Sequence, residues 1–285
     1  CPWAEDVSNL LVKRDAAIEL ARAMISAGNA AGKKTVALLT RMDQPLGRAV
    51  GNWLEIAQTY AVLSGGGSRR GLSGEHVDDF VEVTLALAAQ MLVMARVTDT
   101  VREGWAMANE KLQDGSALEK FREMILAQGG DMSIFEVEDV QRLSPEYRRR
   151  RECARKREVP APRSGCVGII NALEVGLIST RLGAGREKVE DTVDYCAGIM
   201  FRRKVGEAVE KGGAIAVLYS ERSASVLDMA EKRLLGAVTV VDCDGFSGGT
   251  EGEEQKELGL PPVVDSFINE RGELRPWDEY FASGP

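Results

Sequence analysis

Apolar and polar residues alternate in a way that divides the first half of the chain into helices and one strand. Apolar side chains recur at helical spacing from Leu11 to Ile25, and Thr35 to Leu39 is a β-branched and aliphatic run of strand length. Helical spacing resumes from Ala49 to Leu63. Three further helices are predicted over residues 75–97, 99–113 and 116–128. Consecutive helices beside a strand favour an α/β layer.

The second half of the chain has the pattern of a small α+β domain. Strand-like runs cover residues 166–171, 197–202, 214–219 and 238–243, with helices predicted over 173–182 and 223–235. A basic stretch with prolines separates the two halves, and a glycine-rich acidic stretch ends the sequence. We therefore predict a partial α/β domain at 1–143, a basic linker at 144–163, an α+β domain at 164–243 and an acidic glycine-rich tail with an aromatic end at 244–285.

Composition indicates a globular chain without a membrane span. Hydrophobic residues make up 44% and charged residues 28% of the 285 positions. The most apolar stretch, Val83 to Val97, is interrupted by Gln90 and Arg96 and is too short to cross a bilayer. The net charge is −8, but about −7 of it falls in the final 43 residues, so the body is nearly neutral.

The five cysteines form an odd, widely spaced set without a C-x-x-C pair. This pattern predicts neither a disulfide framework nor a zinc site. A reducing compartment fits it best.

Two groups of residues are candidates for contact with a partner. The first is a basic cluster that could meet RNA phosphates or an acidic protein face, or could simply form a solvated linker. The second is an aromatic group at the end of the chain, which either docks on this chain or meets a partner. The basic residues are Arg148, Arg149, Arg150, Arg151, Arg155, Lys156 and Arg157, and the aromatic ones are Trp277, Tyr280 and Phe281.

Four long motifs occur in the order found in one enzyme family. They are TRMDQPLGRAVGNWLE from Thr40, ALEKFREMILAQGG from Ala117, APRSGCV from Ala161 and LGAGREKVEDTVDYCAGIMFRRKVGEAVEKGGAIAVLYS from Leu182. Together they resemble the thymidine and pyrimidine nucleoside phosphorylases over roughly residues 10–240. The resemblance implies the later part of the phosphorylase α/β domain, followed by the family's small C-terminal α+β domain.

The resemblance also implies a reaction, the cleavage of a pyrimidine nucleoside by phosphate to give the free base and a sugar 1-phosphate. In the family a loop with the sequence lysine–histidine–serine–threonine–glycine–glycine holds the phosphate, and an arginine, a serine and a lysine bind the base. This sequence contains none of these motifs. The family phenylalanine that lies against the base corresponds to Leu10, so we assign no catalytic or substrate-binding residue to this chain.

A cation site is implied as well, since some family members hold a monovalent or calcium-like cation near the phosphate loop. Its ligands correspond to the backbone carbonyls of Leu46 and Ala49 and to the side chain of Gln58. Gln58 replaces a carboxylate, and a neutral amide weakens a site for a hard cation. No other cofactor is predicted, and phosphate is expected as co-substrate.

Two functions follow as expectations. The favoured one is a non-catalytic structural subunit of a larger assembly, such as a mitochondrial one, in which a protein partner covers the incomplete sheet. The alternative is one piece of a split or incompletely recorded phosphorylase, which the start at Cys1 instead of methionine suggests. By either expectation this chain alone is inactive and lies in a mitochondrial or cytoplasmic compartment.

Overall fold

A computed structural model describes residues 14–65, 77–136, 142, 148, 152–153, 155–186, 188–243 and 263–283. Within these ranges the chain is a mixture of helices and strands, which confirms the predicted α/β class. It divides into two compact units. Unit 1 comprises residues 1–41, 79–111 and 261–285, and unit 2 comprises residues 42–78 and 112–260.

Unit 1 is built around a three-stranded antiparallel sheet. Its helices are α1 (Arg14–Ala30) and the larger parts of α3 (Asp78–Met94) and α4 (Val101–Gln113). The strands β1 (Ala37–Thr40), β9 (Val264–Ile268) and β10 (Leu274–Pro276) form the sheet in the order β1-β9-β10. Ile18, Ala21 and Ile25, one face of α1, pack on Ile268 of the central strand. The helical spacing of these side chains therefore serves core packing.

The prediction of a tail over residues 244–285 is wrong for residues 263–283, which are folded. This segment supplies the central strand β9, the edge strand β10 and a short helix α9 (Trp277–Ser283). Tyr280 is 1% exposed, stacks on Phe267 with ring centroids 3.9 Å apart, and donates its hydroxyl to Oε1 of Gln90 at 2.8 Å. Trp277 is also buried, and Phe281 contacts the ring of Trp105 edge to face. These aromatic residues dock on their own chain because burial removes their large apolar area from water.

Unit 2 holds two antiparallel sheets. Its helices are α2 (Asn52–Ser64), α5 (Ser116–Ala127), α6 (Ser133–Glu136), α7 (Ala172–Leu182) and α8 (Ala224–Ala237). The first sheet has the order β2-β5-β7-β3, and the second has the order β6-β4-β8. The strands are β2 (Ala49–Val50), β3 (Arg155–Pro160), β4 (Gly165–Ile170), β5 (Gly198–Phe201), β6 (Ala208–Val209), β7 (Ala214–Ser220) and β8 (Val238–Val241).

The core of unit 2 lies between its sheets and the helices α7 and α8. Val175, Ile178 and Leu182 of α7 are fully buried against Ile199 and Leu218 of the first sheet. The predicted strands and helices of the second half are confirmed here, with ends shifted by a few residues.

The predicted basic linker is wrong over residues 155–160, which form the edge strand β3 and pair with β7 along its whole length. Val159 is the buried residue of this strand and the charged residues around it face outward. Lysine and arginine on an exposed edge discourage pairing with another chain, which explains why this strand has a linker-like composition. In the described part of the chain, no helix has the length and apolarity needed to cross a membrane.

Candidate functional site

The most distinctive motif of the sequence forms a tight turn in unit 2, between residue 42 and the start of α2. Gly51 precedes the helix with φ of 129°, and a Cβ atom there would come within 2.4 Å of the carbonyl oxygen of Ala197. Only glycine therefore fits at this close approach of backbone to backbone. The Nδ2 amide of Asn52 donates to the carbonyl of Ala184 at 2.7 Å, which ties the helix start to the loop after α7.

Arg48 anchors the middle of this turn. Its side chain is 5% exposed, and its guanidinium forms a two-nitrogen ion pair with the Glu207 carboxylate, with Nη1 at 3.1 Å from Oε2 and Nη2 on Oε1. Nη1 also donates to the carbonyl of Arg202 at 3.3 Å. The backbone carbonyl of Arg48 accepts from the N–H of Phe201 at 2.8 Å. A buried arginine held in this fork geometry fixes the turn on the strand β5.

Lys204 adds a second positive charge beneath the same turn. Its Nζ ammonium donates to the carbonyl of Gly47 at 2.8 Å and to the carbonyl of Pro45. Its backbone N–H donates to Oε2 of Glu207 at 3.0 Å. Lys204 is 8% exposed, and the two backbone carbonyls supply acceptors for its buried ammonium.

The cation ligands that the sequence implied do not fit a cation in this arrangement. Oε1 of Gln58 accepts from the backbone N–H of Arg48 at 2.9 Å and of Ala49 at 3.1 Å, so both its lone pairs are used. The other end of the amide is an NH₂ donor, which repels a cation. Gln58 is thus a buried capping residue of the turn, and we derive no step through a metal ion at Leu46, Ala49 and Gln58.

One polar atom in the turn is unsatisfied. Gln44 is 7% exposed, and its Oε1 accepts no hydrogen bond from the described residues. Sequence reasoning had no signal for this feature, because the motif around Gln44 reads as an ordinary turn.

The basic cluster is only partly described, because Arg149, Arg150 and Arg151 lie outside the described residues. Arg148 is half-buried. Arg155 donates through Nη1 to the carbonyls of Glu221 and Arg222 at 2.8 and 3.0 Å. Arg155 is therefore engaged within the chain.

The two residues that follow Arg155 are engaged as well. The Lys156 ammonium lies 5.6 Å from the centre of the Tyr219 ring, within the range of a cation–π contact. Arg157 contacts Glu231 and Asp228, each at 2.8 Å, and its hydrogen bonds to these two carboxylates raise the pKa of Arg157. Lys156 therefore packs on β7 and Arg157 joins β3 to α8, so both charged side chains are engaged within the chain.

Two disulfides correct the prediction made from the cysteine pattern. Cys153 pairs with Cys196, and Cys166 pairs with Cys243. The partners are 43 and 77 residues apart, so no local spacing could signal them. The prediction of a reducing compartment rested on unpaired cysteines and loses that support, and the compartment itself stays a prediction.

The cysteines also form part of the one cluster of metal-type ligands found among the described residues. Cys153, Asp194 and Cys196 bring one ligand atom each within 4.8 Å of one another. Both sulfur atoms are taken by the disulfide, and the Asp194 carboxylate accepts from the N–H groups of Cys196 and Glu221 at 3.1 and 2.8 Å. With the disulfide formed, the cluster crosslinks the chain and has no free thiolate for a metal ion.

Glu207 and Lys204 complete the turn, and sequence reasoning missed both. They lie in the FRRKVGE segment, which the motif comparison had already placed in the family. Leu10, the position that corresponds to the base contact, lies outside the described residues.

Two family models match the chain. Residues 7–118 match the α/β domain of a glycosyl transferase family, and residues 166–239 match the pyrimidine nucleoside phosphorylase C-terminal domain. The order of the two matches along the chain agrees with the predicted order of domains, an α/β part followed by the C-terminal domain.

Curated relatives bear the name pyrimidine-nucleoside phosphorylase. The chain is 41% identical to the Bacillus subtilis protein over 206 residues, which is 72% of this chain and 43% of that protein. It is 38% identical to the Staphylococcus haemolyticus protein over 213 residues, 75% of this chain and 45% of that protein. For a Staphylococcus aureus protein the values are 35% over 223 residues, 78% and 47%. The chain thus spans less than half the length of these relatives.

Proposed function

Because the chain belongs to the pyrimidine nucleoside phosphorylase family, we propose that the protein carrying it cleaves the N-glycosidic bond of pyrimidine nucleosides with phosphate. The products are the free base and a sugar 1-phosphate. The observation that carries the proposal is the similarity to curated phosphorylases over about three quarters of the chain, together with a family-model match over residues 7–118 that includes the turn at Arg48.

Within this function the chain supplies positioning groups. Phosphorolysis requires that nucleoside and phosphate be held in one geometry while charge develops on the departing base. The turn of residues 42–51 is fixed from three sides by Glu207, Lys204 and Gln58. A turn held in this way can position neighbouring groups of an active site. We expect the groups that contact the substrate to lie outside the residues described for this chain.

The test is base release by the protein purified from its own source, with uridine or thymidine and with or without inorganic phosphate. We expect uracil or thymine only in the presence of phosphate. Base release at the same rate without phosphate would indicate a hydrolase and would contradict the proposal.

A second candidate is a non-catalytic structural subunit of a larger assembly, such as a mitochondrial one, with a protein partner. The observation that favours it is Gln58, which stands where the family cation site has a carboxylate. Its amide oxygen accepts hydrogen bonds from two backbone N–H groups of the turn instead. Native mass spectrometry of the same sample distinguishes the two. A large complex without phosphate-dependent cleavage supports the subunit, and cleavage by the isolated protein rejects it.

A further inference from the structure

An arginine-lined cavity lies between helices α7 and α8, away from the turn at Arg48. Its volume is about 290 Å³, near the lower end of the range for small-molecule sites. Arg181 of α7, Arg222 of the following loop and Arg233 of α8 line it. Three arginines around one small cavity favour an anionic ligand.

The rest of the lining is apolar. Ile178 of α7 is fully buried and Ala230 of α8 is 4% exposed, and both belong to the core of unit 2. Val226 also lines the cavity and packs against the same core. Because these side chains are part of the core, the apolar surface is preformed and does not have to be ordered by the ligand.

Arg222 is held in place yet keeps donors for a ligand. Its backbone N–H donates to Oγ of Ser220 at 3.0 Å, and its Nη1 donates to the carbonyl of Arg181 at 2.9 Å. In the described part of the chain Arg222 has no ion pair. A guanidinium has five N–H donors in a rigid fork, so one bond to a carbonyl leaves a second edge for an oxyanion.

Arg233 contributes a donor that is unsatisfied in this structure. Its Nη2 pairs with Oε2 of Glu174 at 2.6 Å, whereas its Nη1 is buried and has no hydrogen-bond partner among the described residues. A buried donor without an acceptor is costly, and an oxyanion that meets it removes this cost when the guanidinium turns toward the cavity.

We propose that this cavity binds a small phosphate monoester with an apolar organic part. A phosphate monoester carries close to two negative charges at neutral pH and accepts paired hydrogen bonds from arginine. Arg222 and Arg233 hold the phosphate, and Ile178, Val226 and Ala230 contact the apolar part. The inference does not depend on the proposed phosphorolysis, since none of these residues belongs to the turn at Arg48.

The test is isothermal titration calorimetry of the protein with phenyl phosphate, inorganic phosphate and benzyl alcohol as probes. We expect phenyl phosphate to bind at least tenfold more tightly than inorganic phosphate, because phosphate alone leaves the apolar lining uncovered. Benzyl alcohol, which has no charge, should not bind measurably.

Three variants locate the site. Arg222→Gln should weaken phenyl phosphate binding at least tenfold, the usual effect of losing a charge-assisted hydrogen bond. Met229→Glu should weaken it as much by repulsion, and folding should tolerate it because Met229 lines the cavity but is 60% exposed. Arg271→Gln, an exposed arginine of unit 1, is the matched control and should bind like the unmodified protein.

Two results would overturn the proposal. Binding that survives both Arg222→Gln and Met229→Glu places phenyl phosphate elsewhere, including any site that holds phosphate as a co-substrate. Equal affinities for phenyl phosphate and inorganic phosphate show that the apolar lining contributes nothing.

Discussion

Arg48 and Glu207 are 159 residues apart in the sequence and form a two-nitrogen ion pair that fixes the turn of residues 42–51 on the strand β5. The pair does more than join two charges, because the Glu207 carboxylate also accepts from the backbone N–H of Lys204. The ammonium of Lys204 in turn bonds two carbonyls of the turn. One carboxylate therefore pairs with the guanidinium of Arg48 and also fixes the backbone of Lys204, whose ammonium bonds the turn.

Replacing Glu207 with Gln should destabilise unit 2. The substitution leaves the guanidinium of Arg48 buried without a counter-charge, and we expect the free energy of unfolding to fall by about 2–4 kcal/mol. Urea unfolding followed by circular dichroism measures this change. Glu210→Gln, on an exposed residue three positions further on, is the matched control and should change stability by less than about 0.5 kcal/mol.

The hydrogen bonds accepted by Gln58 can be tested separately from the space that its side chain fills. Gln58→Leu keeps a similar volume but removes the acceptor for the N–H groups of Arg48 and Ala49, so we expect a loss of about 2 kcal/mol or more. Amide hydrogen exchange at residues 48 and 49 should accelerate. Gln58→Glu keeps an acceptor oxygen and should preserve slow exchange, and fast exchange in that variant would contradict the capping role.

Tyr280 predicts a stability change at high pH. Burial raises the pKa of its phenol above the ordinary value. Because the folded-state pKa lies above the unfolded value of about 10, the contribution is fully present below pH 10 and is lost as pH rises through the folded pKa.

Tyr280→Phe should remove this pH dependence and should cost about 1–2 kcal/mol at neutral pH, since Oε1 of Gln90 loses its donor. Unfolding curves at pH 7 and above pH 10 check both effects. The exposed Tyr195 offers the comparison, and Tyr195→Phe should leave the alkaline loss of stability in place.

The Cys166–Cys243 disulfide joins β4 to the residue just beyond β8 and closes the longer of the two loops. The variant Cys166→Ala with Cys243→Ala should lose about 2–4 kcal/mol of stability, chiefly because the unfolded chain gains freedom. Thermal unfolding with and without a phosphine reductant measures the effect. If the reductant leaves the melting temperature of the unmodified protein unchanged, neither disulfide stabilises the fold.

Local patterns predicted the core of the fold well. The α7 helix and the β7 strand follow directly from the helical spacing of Val175, Ile178 and Leu182 and from the apolar run of residues 214–219. Two segments misled the same reasoning. Strand β9 was overlooked because it directly follows an acidic, glycine-rich stretch. The charged edge strand β3 resembles a linker because a single residue, Val159, marks its buried side.

The site was less predictable because its bonds are long-range. The motif identified the turn at Arg48, but its partners Lys204 and Glu207 come from a loop more than 150 residues away. The capping role of Gln58 was not predicted from sequence, since a ligand position and a capping position look alike until the direction of the hydrogen bonds is known. Cys166 and Cys243 likewise come together only where β4 pairs with β8.

The most direct test of the proposed function is phosphorus NMR of a reaction containing the protein from its own source, uridine and inorganic phosphate. We expect the phosphate resonance to decrease and a sugar 1-phosphate resonance to appear. The amount of sugar 1-phosphate formed should equal the amount of uracil released. If uridine is consumed without a new phosphate ester, or is not consumed by a sample that contains all of the protein's natural partners, the account is contradicted.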